Sequence, residues 1–288
     1  MKIKILLFIS FMNGISFAKS SGITTSFPIL TLITNELIES VSDIKIQTLT
    51  KSGEEAHHFE MSAKTLIQLQ QQDLLIVNGL GFEHWLQQIQ LNKVLNRKII
   101  VASKGINPLS NPLNLPDPHA WHDPDNLLIY IENIKNGLVE RYPIHKNKFE
   151  EKSRELKLKI KEWKINTQSE FLKQNKSFIV VTSHSAFSYL ANAFGFKNIA
   201  LLGDHEGESV SARVLITKIT EIKKMKIRLF FGDSSDQDSS LKDWSNKTSS
   251  IWGGILWGDT IAESSRPFTL LEYLKHNTDL ILNKLNLN

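Results

Sequence analysis

The 288-residue chain contains no cysteine. That absence excludes a disulfide scaffold, a zinc–thiolate site, an iron–sulfur cluster and a cysteine nucleophile. Any transition-metal site here must draw its ligands from His, Asp and Glu. Charge of one sign is also scarce, with 34 Lys and Arg against 30 Asp and Glu for a formal +4. So small an excess gives no basic stripe for nucleic acid. The 15 Phe and 6 Trp therefore read as core and not as a base-stacking platform. Catalytic signatures are missing as well: there is no H-E-x-x-H, no G-x-S-x-G and no G-x-x-x-x-G-K. Neither a sequence repeat nor a low-complexity tract stands out. What remains is 41% hydrophobic, which excludes disorder and suffices for a large core in one big domain or two.

Residues 1–18 read as a secretory leader. Lys2 and Lys4 precede the apolar run Ile5–Met12, and Ser16-Phe17-Ala18 is a small-x-small cleavage site. The run is too short to cross a bilayer, and no later one is long enough. Loss of the leader removes two lysines and no acid, leaving a formal +2. There is no Cys at the cleavage point to carry a lipid. The mature chain is expected to be exported and soluble, with no permanent membrane anchor.

Beyond the leader, short β-branched runs alternate with helical stretches. The strands expected are Ile23–Ser26, Ile44–Leu49, Leu74–Val77 and Lys98–Ala102, then Ser177–Thr182, Asn198–Leu202, Ile227–Phe231 and Ile251–Leu256. Helices are expected at Pro28–Glu39, Ser62–Gln71, Glu83–Asn92, Ser185–Ala193, Ser211–Lys224 and Pro267–Leu285. This alternation predicts an α/β protein with mainly parallel sheets. The middle differs, since residues 146–174 hold no Gly and no Pro. Phe149, Leu156, Ile160, Trp163 and Phe171 recur there at helical spacing, while Leu158, Ile165 and Leu172 recur every seven. Two apolar stripes suit one long helix packed against two bodies; a coiled-coil segment or two shorter helices are the alternatives. The expected layout is a leader at 1–18, a four-stranded α/β lobe at 19–142, a spine helix at 143–175 and a second four-stranded lobe at 176–288.

Three of the nine histidines and one aspartate stand beyond strands or in the turns between elements. His184 follows the strand before it and opens a helix, and His57 lies between a strand and the Ser62 helix start. His119 sits in the turn-rich D-P-H-A-W-H-D-P, and Asp259 follows the last strand. Ligands of open α/β sheets sit beyond the carboxyl ends of strands, so His57 and His119 could face His184 and Asp259. Three imidazoles and one carboxylate make a tetrahedral zinc shell. Taken singly, each residue also reads as a solvated loop histidine or, for Asp259, a helix cap.

Five segments carry a resemblance. SGEEAHHFE, NGLGFEHWL, DPHAWHDP, TSHSAFSYLANAFGF and WGDTIAE occur in this order. They resemble the motifs of cluster A-I solute-binding proteins, the ZnuA/TroA-like zinc and manganese receptors of ABC transporters. The likeness spans nearly the whole mature chain. It implies two α/β lobes bridged by one long helix, with metal ligands at His57, His119, His184 and Asp259. It also implies a periplasmic receptor, expected to be monomeric, that captures Zn²⁺, or alternatively Mn²⁺, for an inner-membrane ABC permease. Manganese-selective members tend to carry Glu at the His184 position. The departures are Glu55-Ala56 for Asp-Pro, Met61 for Pro, and His122 and Ser185 beside the second and third ligands; a His-rich insertion before His119 is absent. His58, His122 and His205 are candidates for a second site. Glu83 is expected to be structural, tying a loop near the site, and His84, His145, His205 and His276 to lie on the surface. The reading from another class is a secreted zinc hydrolase, which needs an open coordination position and a general base.

Overall fold

A computed structural model describes residues 21–286 apart from 55, 58, 97, 112–113, 175–177, 204–211, 225–228, 234–239 and 262–267. The leader at 1–18, His58 and His205 lie outside the described residues, as do the expected starts of a strand at Ser177, a helix at Ser211, a strand at Ile227 and a helix at Pro267.

Each lobe is built on a four-stranded parallel sheet. In the first, β1 (Ser21–Thr25), β2 (Ile44–Thr48), β3 (Leu74–Val77) and β4 (Ile99–Val101) lie in the order β2-β1-β3-β4. In the second, β5 (Ile179–His184), β6 (Lys197–Gly203), β7 (Leu229–Asp233) and β8 (Ile251–Leu256) repeat that order as β6-β5-β7-β8. Every residue of β3 and β7 is buried, as parallel strands covered on both faces require. In this order the chain reverses direction of build between β1 and β3, and again between β5 and β7. The switch points leave a crevice at the strands' carboxyl ends.

Helices cover both faces. In the first lobe α1 (Pro28–Ile38) begins with Pro at its first turn, and α2 (Ala63–Gln71) is capped by the Ser62 hydroxyl. The helix expected over Glu83–Asn92 is only the shorter α3 (Leu86–Gln90), and a separate α4 (Lys93–Asn96) follows it. The late start has a cause, because Glu83 is committed to the turn before α3, where it accepts hydrogen bonds from Asn78 N and Gly79 N. Helix α5 (Pro124–Arg141) is capped by Asp123. After the spine α6 (Lys146–Leu172) come α7 (Ser188–Phe194), α8 (Ala212–Lys224), α9 (Ser240–Lys247) and α10 (Leu270–Leu285). A capping box of Thr269 and Glu272 starts α10, so Asp259 is not its cap.

At about 1.5 Å per residue the spine spans roughly 40 Å. Its buried face is Phe149, Ser153, Leu156, Ile160, Trp163, Thr167 and Phe171. That one stripe meets α1 and α5 of the first lobe and α7 and α10 of the second. The expectation of a second packed stripe is corrected: Leu158, Ile165 and Leu172 are 67%, 66% and 78% exposed. One apolar cluster runs unbroken from Ile23 and Leu37 through Ile160 to Phe231 and Tyr273. Smaller clusters lie under α2–α4 and under α8–α9 on the outer sheet faces. Among the described residues no helix is long and apolar enough to cross a membrane.

Candidate metal centre

The four residues picked from strand ends meet at the seam between the lobes. His184 is the last residue of β5, and Asp259 stands three residues past β8. His57 comes from the loop between β2 and α2, and His119 from the segment between β4 and α5. All four are buried, with at most 4% exposure. His57 Nε2 lies 3.2 Å from His119 Nε2 and 3.2 Å from Asp259 Oδ2. His119 Nε2 is 3.4 Å from Asp259 Oδ1, and His184 Nε2 is 3.8 Å from Asp259 Oδ2. Donors held about 2.0–2.1 Å from a tetrahedral metal stand roughly 3.3 Å apart. His57, His119 and Asp259 already have that spacing, and all lie within 4.8 Å of one another. His184 falls outside that group of three, with its Nε2 3.8 Å from Asp259 Oδ2 and its ring centroid 5.5 Å from that of His119.

Two further buried carboxylates stand behind the imidazoles. Asp117 Oδ1 accepts from the backbone N of His119 at 3.0 Å and faces its Nδ1 at 2.7 Å. A proton on Nδ1 leaves the Nε2 lone pair directed at the cluster. Asp233, the last residue of β7, sets Oδ2 3.8 Å from His184 Nδ1. A Cβ at position 258 would come within 2.3 Å of that Oδ2, so a side chain there would push the carboxylate from this place. Both strands flanking the second lobe's switch point therefore end in a residue of the centre. Sequence alone points to no role for Asp117 and does not single out Asp233, whose one signal is its place at the end of the run LFFGD.

The electrostatics favour a bound cation. Burial alone would raise the Asp259 carboxyl, but the neighbouring His57 and His119 outweigh it and hold it well below the usual range. Burial would lower His119, yet Asp259 and the hydrogen-bonded Asp117 push it above its ordinary value. Burial, against the pull of Asp259, brings His184 down to about 3. Asp259 and His119 thus attract positive charge, a proton or a metal, while His184 offers a neutral nitrogen beside them.

The support for these loops is polar and aromatic. Glu83, 5% exposed, accepts from Ser26 Oγ at 2.7 Å as well as from Asn78 N and Gly79 N. Asn78 Nδ2 in turn donates to Pro118 O at 2.9 Å, next to His119. Glu83 thereby ties the β3 end to the His119 segment, as expected of it, while burial raises its carboxyl. Phe82 packs its ring 4.3 Å from His57 and 5.3 Å from Trp121.

The other histidines are placed differently. His122 is buried against Phe187 and Tyr273, its Nδ1 3.5 Å from the Tyr273 hydroxyl, and burial brings it down to about 3. No metal-holding group among the described residues includes it. His84 is exposed. His145 and His276 are half-buried instead of free on the surface: His145 pairs with Asp43 at 3.1 Å, and His276 stacks 3.9 Å from Trp257.

Two parallel-sheet lobes on one spine, with a buried histidine–carboxylate cluster at their seam, define a two-lobed protein built to hold a cation. Residues 23–284 match the family described as ZnuA, zinc-uptake complex component A, periplasmic, and the chain belongs to that family. It is 28% identical over 270 residues to the iron-binding protein YfeA of Yersinia pestis, covering 92% of this chain and 86% of the relative. It is 29% identical over 276 residues to the manganese-binding lipoprotein MntA of Halalkalibacterium halodurans, covering 92% and 88%. Among solved structures, the periplasmic metal binding protein of Candidatus Liberibacter asiaticus superposes with a TM-score of 0.78 at 28% identity, covering 92% of this chain and 99% of that one. A crystal structure of ZnuA gives 0.78 at 18% identity, covering 93% and 98%, a likeness of fold.

Proposed function

We propose that this chain is an exported receptor that captures Zn²⁺ and hands it to an inner-membrane ABC permease. In this reading His57, His119 and His184 each give an imidazole nitrogen and Asp259 a carboxylate oxygen. The observation that carries it is the convergence of three Nε2 atoms on one buried carboxylate, with donors from both lobes. The metal is cargo: it binds and leaves, and no bond of a substrate is made or broken. Export by the segment 1–18 into the periplasm, action as a monomer, and the limits 19–142, 143–175 and 176–288 for lobe, spine and lobe belong to the same reading.

The alternative cargo is Mn²⁺, since relatives are named for iron and for manganese. Three imidazoles argue for zinc, because Mn²⁺ prefers oxygen donors and higher coordination. Metal analysis of protein purified without chelator, with Zn²⁺ and Mn²⁺ in direct competition, tests the choice. Tight one-to-one Zn²⁺ binding is expected, abolished by His119→Ala and by His184→Ala in a protein that remains folded. Wild-type affinity in both variants would show the site to be elsewhere.

A further inference from the structure

The lobes are joined by hydrogen bonds of two kinds. Deep links are made by buried tyrosines: Trp121 Nε1 donates to the Tyr273 hydroxyl at 3.1 Å, which itself donates to Gly258 O at 3.0 Å. The Tyr189 hydroxyl donates to Asp117 O at 2.9 Å and accepts from Leu109 N at 2.9 Å. Tyr273 and Tyr189 are at most 2% exposed, so these bonds belong to the common core.

Leu270 N also donates to Glu36 Oε1 at 2.9 Å, and one further link flanks the candidate centre. Gly53 N donates to Thr260 Oγ1 at 2.8 Å, joining residues 207 apart in sequence. Gly53 is exposed whereas Thr260 is fully buried, so the bond lies where the seam reaches solvent. Its partners flank the centre, with Gly53 four residues before His57 and Thr260 directly after Asp259. The donor is also specifically built. Glu54 N bonds Lys51 O at 3.1 Å, closing a tight turn in which Gly53 takes φ +81°, and the Glu54 carboxylate accepts from Lys51 N at 2.9 Å. A positive φ at the third position of a turn is what glycine supplies without strain, and its N–H here goes to Thr260. The Thr260 hydroxyl accepts that N–H and has its own proton toward Ile261 O at 3.5 Å.

We propose that the Gly53–Thr260 hydrogen bond is a latch at the rim of the metal centre, and that Thr260 sets how long the ion stays bound. The proposal rests on the capture reading above. An ion shared by His57 and Asp259 fixes the two loops that carry Gly53 and Thr260, so the ion favours the bond. By linkage the bond favours the ion to the same degree. With the deep tyrosine links intact, opening the rim releases cargo without separating the lobes. Thr260 is thus a positioning residue, acting through the loop of Asp259 and the turn before His57.

The test uses the full-length protein loaded with Zn²⁺ alone, with release into excess EDTA followed by stopped flow. Thr260→Val keeps the shape and removes the acceptor; Thr260→Ser keeps the acceptor. One neutral hydrogen bond corresponds to a release about three- to tenfold faster in Thr260→Val, with Thr260→Ser close to wild type. Hydrogen exchange reads the bond directly in the wild type: the Gly53 amide is expected to be slow when loaded and fast after chelation. In Thr260→Val it is expected to be fast in both states, with the melting temperature of the metal-free protein little changed. Release at the wild-type rate in Thr260→Val, or equal exchange at Gly53 with and without Zn²⁺, overturns the latch alone. Failure of the wild type to take up any metal overturns the capture reading and the latch with it.

Discussion

At the scale of single residues, His184 carries the choice of metal and His122 the response to acid. His184→Glu replaces an imidazole by a second carboxylate and should narrow the Zn²⁺/Mn²⁺ affinity ratio, read by direct competition. An unchanged ratio would remove the three-imidazole argument for zinc. Acid acts through the two imidazoles that burial brings to about 3. In the unfolded chain both titrate near 6.5. A depressed value contributes stability that is complete above 6.5 and is lost as pH falls from there toward 3. Each group then removes about 1.4 kcal/mol per pH unit from the metal-free protein. His119 has the opposite sign: its raised value contributes below about 6.5 and fades as pH rises through its folded value, so it does not add to the acid loss. Urea unfolding of the metal-free protein between pH 6 and 4.5 should show this decline, with His122→Phe about halving its slope. The same slope in His122→Phe would mean that the imidazole is protonated in the fold.

At the scale of elements, the spine separates a face that holds the molecule from one that does not. Ile160 is 1% exposed and Phe149 fully buried, so truncation of either to Ala should cost about 2–5 kcal/mol in chemical denaturation. Leu158→Lys and Ile165→Lys, on the exposed stripe, should change stability by no more than about 0.5 kcal/mol. These contrasts also show what the sequence could convey. Strands such as Leu74–Val77 and Ile251–Leu256 were legible to the residue, because apolar or β-branched runs stand between turns. The positions of the four candidate donors were legible because His184 closes a strand and His57, His119 and Asp259 stand in loops between elements. The outward stripe was misread, since a spacing of seven says that three residues share a face and not that anything covers it. Helix α9 was missed for lack of signal, as SLKDWSNK offers only Leu241 and Trp244 as apolar residues. Asp233 was invisible for a different reason. It opens a run crowded with Asp and Ser, and only the parallel pairing of β5 with β7 brings its carboxylate beside His184.

At the scale of the whole molecule, the same sheet order occurs twice and each lobe brings half of the candidate donors. A ligand that binds only the assembled state stabilises it by about 4 kcal/mol at a thousandfold excess over Kd. Zn²⁺ should therefore raise the melting temperature clearly, and chelation should return it to the metal-free value without unfolding the protein at room temperature. Unfolding on chelation would mark the ion as structural and not as cargo. The apolar cluster that runs without a break from Ile23 to Tyr273 has a thermal consequence of its own. Domains joined by a linker melt one after the other, each with its own enthalpy. Here neither half can loosen without stripping apolar surface from the other, so calorimetry should record one transition whose van't Hoff and calorimetric enthalpies agree. The shared interior makes the two lobes a single cooperative unit, in which heat destroys both together or neither.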